Sequence, residues 1–406
     1  MKKLLMIAVI LALGVSVSFA IDGSSLVSNG IGFMFPSGYT APVTTSIEKK
    51  NDDERTVEKE FKTSKGKTLT INLKTGGALV IKGWDKELVN VKATIGGRDA
   101  KDLKFDFNEA DNGVEINSKY VGHKEGWSSD CELEIMVPDK YDISIYTMGG
   151  AVTLSNIEGR MTGKTLGGAL VLDHLKGYLE LKTMGGAVTL TSSDVDGRVE
   201  TMGGPVIMED VTGGVKGHTM SGKVNFSNAD DKNAEDAKDE VKITSMGGSI
   251  NVNEAPLGAD VSTMGGAIKI NSAKKFVKAK TMGGNISILD VDGSVKAHTM
   301  SGDVEVNMTG SGDDRDVKLT SMSGDITLEV PADFSMNVSV KLAYTEGREG
   351  KYKFTNDFGL NQEVSDEWDE SQGTPRKYIT ATGSVNGGKN SVVIETINGN
   401  VHIKKH

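Results

Sequence analysis

Cysteine is almost absent. Cys131 is the only one in 406 residues, so no internal disulfide framework can form. Six scattered histidines and no cysteine pair leave little from which to build a zinc site. Aromatic residues make up only 5% of the chain, which excludes a core built mainly from large rings. Beyond residue 20 no stretch approaches the ~20 consecutive apolar residues that a membrane-spanning helix needs. A basic excess is missing as well. Lys and Arg number 46 against 56 Asp and Glu, a formal charge of −10, which argues against nucleic acid as a partner. The acidic surplus suits solubility of a large exposed surface.

The first residues do carry a signal. Met1-Lys2-Lys3 is followed by an apolar run from Leu4 to Val17 and by Ser18-Phe19-Ala20. A basic start, a short apolar segment and small residues before the cut describe a secretory signal peptide cleaved after Ala20, and hence an exported protein. The sequence leaves periplasm, cell surface and extracellular medium open as destinations.

Glycine is abundant, at 50 residues, and much of it is periodic. Met148, Leu166, Met184, Met202 and Met220 lie 18 residues apart; Met246, Met264, Met282 and Met300 resume the step, and Met322 follows after 22. A fixed short period is the signature of stacked repeats. Taking the Met slot as zero, all ten copies are aliphatic at +4, from Val152 to Ile326. All are apolar at +6, from Leu154 to Leu328. Alternation of this kind describes a strand with one buried and one wet face. Five places before the slot, Ile143, Leu179, Val215, Val241, Val277, Val295 and Val317 mark a second strand. At −1 every copy has Thr or Ser, a hydroxyl column that alternation points inward, toward a neighbouring turn's backbone or its own stacked copies. At +2 every copy has Gly, which calls for either positive φ or a lack of room for a Cβ. A second corner closes the coil at Leu175-Lys176-Gly177, Val211-Thr212-Gly213 and Val291-Asp292-Gly293.

These patterns predict an all-β chain: a single-chain parallel β-solenoid with 18-residue coils, a strand-rich N-terminal region and a C-terminal cap. At about 4.8 Å per coil, ten coils would make a segment roughly 45 Å long. The expected organisation is a signal peptide over 1–20, a partly disordered linker or lead-in over 21–66, and a strand-rich region starting the solenoid over 67–140. The regular array follows over 141–330, and an irregular segment with a capping coil over 331–406. Two inserts, at 227–240 and around 309–316, lengthen a coil without losing register.

The chain combines a strand-rich start, the entry Val137-Pro138-Asp139-Lys140-Tyr141, repeated T-M-[GS]-G-x-[VI]-x-[LVI] and a closing Ile397-Asn398-Gly399-Asn400-Val401. It thereby resembles the bacterial putative-adhesin β-repeat family, a domain of unknown function similar to head-domain adhesins with parallel β-solenoid folds. The resemblance covers roughly Thr68–Lys404. It implies a role at the cell envelope or surface and brings no catalytic residue with it.

Candidate chemistry is sparse, and no cofactor is expected. The Met column fits either a soft-metal ladder or, preferably, flexible side chains filling a corner beside Gly. His218 and His298 share the −2 slot but lie four coils, about 19 Å, apart. Asp303 and Asp325, with Glu305, form the one carboxylate set at a glycosidase-like separation; Asp after a Ser-Gly corner is the simpler reason for them. The acidic insert Asp313-Asp314-Arg315-Asp316 lacks calcium-loop spacing and reads as a solvated loop. Cys131, between Asp130 and the alternating Glu132–Ile135, reads as a buried, inert thiol.

At −4, Arg198, Lys216, Lys242, Lys278, Lys296 and Lys318 form a basic face interrupted by Asp260, with Lys164, Lys182 and Lys280 beside it at −2. Ala151, Ala169, Ala187 and Pro205, with Val171 and Ile207, give the other wall a small-residue face. Edge protection by Lys explains the first just as simply. Otherwise the basic face suits an anionic envelope polysaccharide, and the small-residue face another envelope protein. The function expected is that of a non-catalytic exported adhesin-like or envelope-interaction protein. A self-associating envelope scaffold is the alternative, and a polysaccharide-acting β-helix enzyme a more distant one.

Overall fold

The computed structural model describes residues 49–51, 54–122, 126–227, 239–371 and 373–406, all within one compact unit spanning Val43–His406. The signal peptide and most of the lead-in lie outside the described residues. Among those described, every regular element is a strand apart from one 3₁₀ turn at Ala100–Asp102.

Each coil contributes to two parallel ladders. In the wall after the Met slot, Val152 pairs with Leu170, Leu170 with Val188, Val188 with Val206, and so on to Val304 with Ile326. In the wall before it, Ile143 pairs with Met161, Met161 with Leu179 and Leu179 with Gly197, ending with Val295 on Val317. The eight extra residues of the first insert leave this register intact: Val224 pairs with Ile250 and Lys216 with Lys242 across it. Every +4 and +6 side chain of the ten copies is buried. A one-residue slip would turn a whole column of them into water, at about 1.5–3 kcal/mol for each side chain, so the apolar pattern fixes the register.

The Met corner is tied by the hydroxyl column. Thr183 Oγ1 donates to the carbonyl of Gly168 one coil below (2.6 Å) and accepts the N–H of Gly186 in its own corner (3.2 Å). Thr201, Thr219, Ser245, Thr263 and Thr281 repeat both bonds. Of the two partners open to the inward hydroxyls, they take the neighbouring turn's backbone. The +2 glycine also resolves. From Gly168 onward its φ is not in the left-handed region; instead a Cβ there would run into the carbonyl of the corresponding glycine one coil below. Close stacking excludes every other residue. At the second corner the early coils bend through Asn156, His174, Ser192 and Asp210, all at φ of 47–57°.

Both ends depart from the expected layout. The lead-in does not run to residue 66: Glu54–Lys62 is a strand, antiparallel to Leu88–Gly96, which is itself antiparallel to Asp130–Pro138. Asp130–Pro138 then pairs with Ala78–Trp84, whose other edge carries Val152. The first coil is therefore residues 68–84, and the chain from 88 to 138 turns outward to cover it. At the other end Ser391–Lys405 does not terminate the stack. Val392 sits directly on Val317 and Val401 on Ile326, while Met336–Thr345 covers the far edge of Asn390–Ile397. Arg376–Val385 then pairs antiparallel with Met336–Thr345. The final coil is sandwiched, and residues 336–385 are the actual cap. Antiparallel strands end the parallel repeat at both ends. The N-terminal edge, Glu54–Lys62, is rich in charge, which disfavours pairing with another chain.

Gly266→Ala should lower stability by about 1–3 kcal/mol through overpacking. Gly265→Ser should be near neutral, because that slot already holds Ser221, Ser301 and Ser323 in other coils and has room for a Cβ. Thr281→Val should cost about 1–3 kcal/mol by leaving two buried backbone groups unpaired, and Thr281→Ser much less. Urea denaturation midpoints of the four variants check this order.

Candidate functional site

The wall before the Met slot presents its −4 and −2 side chains outward, in register from coil to coil. The pairings Arg198 with Lys216, Lys216 with Lys242, Lys242 with Asp260, Asp260 with Lys278, Lys278 with Lys296 and Lys296 with Lys318 make the basic column continuous. All six basic residues stand on this face, five of them exposed and Lys242 half-buried. Lys164, Lys182 and Lys280 flank them on the same wall.

Electrostatics divide the face into two halves. In the lower half carboxylates compensate three of the cations, while Lys164 and Lys216 join no ion pair among the described residues. Arg198 bridges Glu180 (2.7 Å) and Glu200 (3.2 Å), Lys182 also reaches Glu200 (3.3 Å), and Lys242 pairs with Glu240 (2.5 Å). The hydrogen bond from Arg198 holds the Glu180 carboxyl below its ordinary range, and the one that Lys242 donates to Glu240 raises the Lys242 pKa. A shallow depression of about 360 Å³ runs over Tyr146, Lys164, Glu180 and Lys182 to Arg198 and Glu200. A second, of about 440 Å³, continues from those two residues past Lys216 and His218 to Asp260. Sharing Arg198 and Glu200, they form one groove along the rungs.

The upper half is different. Lys278, Lys280, Lys296 and Lys318 occupy three successive coils, and none joins an ion pair among the described residues. Lys278 lies over the Phe276 ring at 5.1 Å. Within the patch, partial burial and then the charges of Lys280 and Lys296 push the His298 imidazole below its ordinary pKa. The six-residue face read from sequence thus contracts: Arg198 and Lys242 are neutralised, whereas Lys280 and His298 join the uncompensated patch. Glu180 and Glu200, at −4 and −2 of their own coils, were the readable warning.

The other candidates take structural roles. Asp303 Oδ1 accepts the N–H of Asp325 (2.9 Å), and Asp325 Oδ1 that of Asn400 (2.7 Å), while Asn285 Oδ1 serves Asp303 (3.0 Å). The proposed carboxylate pair is part of a side-chain ladder that caps the +3 backbone of the next coil. In the second insert Arg315 binds Asp292 (2.7 Å) and Asp313 pairs with Lys389 (3.0 Å), so its charges are spent on tying the loop to neighbouring segments. His218 bonds Thr244 (2.6 Å), and three ladder steps separate Thr244 from His298. The small-residue face, from Ala151 to Ile207, lies partly exposed on the opposite wall. The Met expectation fails: eight of these side chains are 37–50% exposed and do not fill the corner.

Comparison with known proteins adds a family. Residues 239–404 match the Toastrack DUF4097 model. The matched segment includes the entire uncompensated patch. No curated protein matches the chain. Among solved structures it is similar to a "putative cell adhesion protein" from Clostridium sporogenes, at 13% identity over 86% of this chain and 99% of that one, with a TM-score of 0.16. A "putative adhesin" from Bacteroides fragilis matches at 10% identity over 86% and 96%, TM-score 0.18. Another from Parabacteroides merdae matches at 9% over 87% and 97%, TM-score 0.17. Superpositions this poor carry no argument about fold or activity.

Cys131 lies half-buried in the N-terminal cap, and desolvation, then the neighbouring Glu132, push its thiol up to about 12. The thiolate is the nucleophile. Alkylation by iodoacetamide at pH 8 should therefore be at least tenfold slower in the folded protein than in urea, and should accelerate as pH rises. Mass spectrometry of quenched samples reads the rate.

Proposed function

We propose that the protein is a non-catalytic, exported adhesin-like component of the cell envelope that holds an extended anionic polymer, an acidic polysaccharide, along the wall before the Met slot. The observation that carries this reading is the Lys278–Lys280–Lys296–Lys318 patch, uncompensated and repeated at the rung spacing. A chain of formal charge −10 that concentrates four unpaired cations in three coils has a reason to do so if the ligand is negative and repetitive. The groove over Lys164, Lys182 and Lys216 gives such a polymer a path along the rungs.

Non-catalytic action is supported by the roles of Asp303 and Asp325, whose oxygens already serve the backbone of the following coil. Export rests on the amino-terminal signal read from sequence. No helix among the described residues is long and apolar enough to cross a membrane. Self-association through the ends has less support, because antiparallel strands cover the parallel repeat at both.

Reversal of Lys278, Lys280, Lys296 and Lys318 to Glu should weaken binding to polygalacturonate at least tenfold, while neutral dextran binds neither protein. Binding by the parent should also fall as ionic strength rises past about 0.1 M, where screening reaches about 10 Å. Isothermal titration checks both. Equal affinity of the parent and the fourfold variant would overturn the reading.

A further inference from the structure

The exposed methionines form a ridge of thioethers for which neither the fold nor the polymer-binding reading has a use. We propose that Met264 binds one soft monovalent cation, Cu(I) or Ag(I), between its own sulfur and the stacked sulfur of Met246 or Met282.

Three observations lead there. First, the three corners superpose directly. The Met264 N–H donates to the Met246 carbonyl and the Met282 N–H to the Met264 carbonyl, both at 3.2 Å. Gly265 and Gly283 share those acceptors at 3.0 Å, so the three side chains leave the backbone one rung apart. Second, they leave it outward. They are 43%, 50% and 42% exposed, and Gly247, Gly265 and Gly283 beside them have no side chain to cover the sulfur. Third, corner shape does not require sulfur, since Leu166 occupies the equivalent slot.

The spacing suits the chemistry. Rungs lie about 4.8 Å apart. Metal–sulfur bonds are about 2.3 Å long, as in zinc thiolates, so an ion midway between two stacked thioethers meets both at bonding distance. Neutral thioethers are soft ligands that select Cu(I) over the harder divalent ions. The flanks of the first two coils are uncharged, with Thr244 and Ser262 at −2 and Ser249 and Ala267 at +3, so no cation repels the ion there. Lys280 and Lys278 stand at −2 and −4 of the Met282 coil, so of the two stacked pairs Met246–Met264 meets the less repulsion.

The test is Ag(I) titration of the whole mature chain carrying Cys131→Ser, which removes the thiol as a competing soft ligand, in chloride-free buffer by calorimetry and native mass spectrometry. Against this parent, Met246→Leu/Met264→Leu/Met282→Leu should lose one bound Ag(I), and Met264→Leu alone should weaken that ion at least tenfold. In a separate silver-free, anaerobic titration, Cu(I) held reduced by ascorbate should bind the parent with the same one-ion difference from the triple Leu variant, and Zn(II) should show no such difference. Circular dichroism of the variants checks that the fold is unchanged, as Leu166 in the same slot leads one to expect. Should the triple Leu variant bind as many Ag(I) ions as the parent, or the parent bind none, the proposal is overturned.

Discussion

The stack depends on one buried hydroxyl per coil. A Thr or Ser Oγ accepts from its own corner and donates to the corner beneath, so each turn is fastened both to itself and to its neighbour. That arrangement works only if successive corners approach closely, and glycine at +2 permits the approach. The two residues act as a unit: glycine brings the carbonyl within reach, and the hydroxyl satisfies it. Inside a dry rod an unmade bond of this kind costs more than a made one contributes. This asymmetry explains why no copy replaces the hydroxyl with an aliphatic side chain of similar size.

Such a design has no natural end, since each coil offers the next the same unpaired edge. The protein resolves this by leaving the repeat rather than by truncating it. The strands that lie on the first and last coils still run parallel to them, but their own outer partners reverse direction, and the rings scarce in the stack gather there. Tyr120 stacks on Trp127 at 4.6 Å in one cap, and Tyr344 meets Trp368 edge-on at 6.0 Å in the other. Large, irregular side chains suit places where the core need not repeat every 4.8 Å or so.

The array was legible because its constraints recur. Ten aliphatic residues at +4 and ten glycines at +2 specify strand, face and corner by redundancy alone. The caps are built from single, non-repeating pairings between residues distant in sequence, such as Met336 with Asn390 and Arg55 with Ile95, and no local pattern announces them. The basic face was half legible. Its column could be counted, but counting one sign missed Glu200 and Glu240, two residues from Arg198 and Lys242 on the same strand face, and Glu180, which meets Arg198 only once adjacent rungs are superposed. The Met column misled for a similar reason: a slot beside glycine can point in or out, and composition does not say which.

The sandwiched position of Ser391–Lys405 has a temporal consequence. Residues 336–385 precede it in the chain yet lie beyond it in the stack, so the covering layer emerges before the rung on which it rests. Lower coils can zip up progressively as they appear, but this end must wait, with Met336–Thr345 lacking its parallel partner until Asn390–Ile397 arrives. A polypeptide whose last rung must enter between two neighbours already made can complete its rod only when its carboxyl-terminal strands are present.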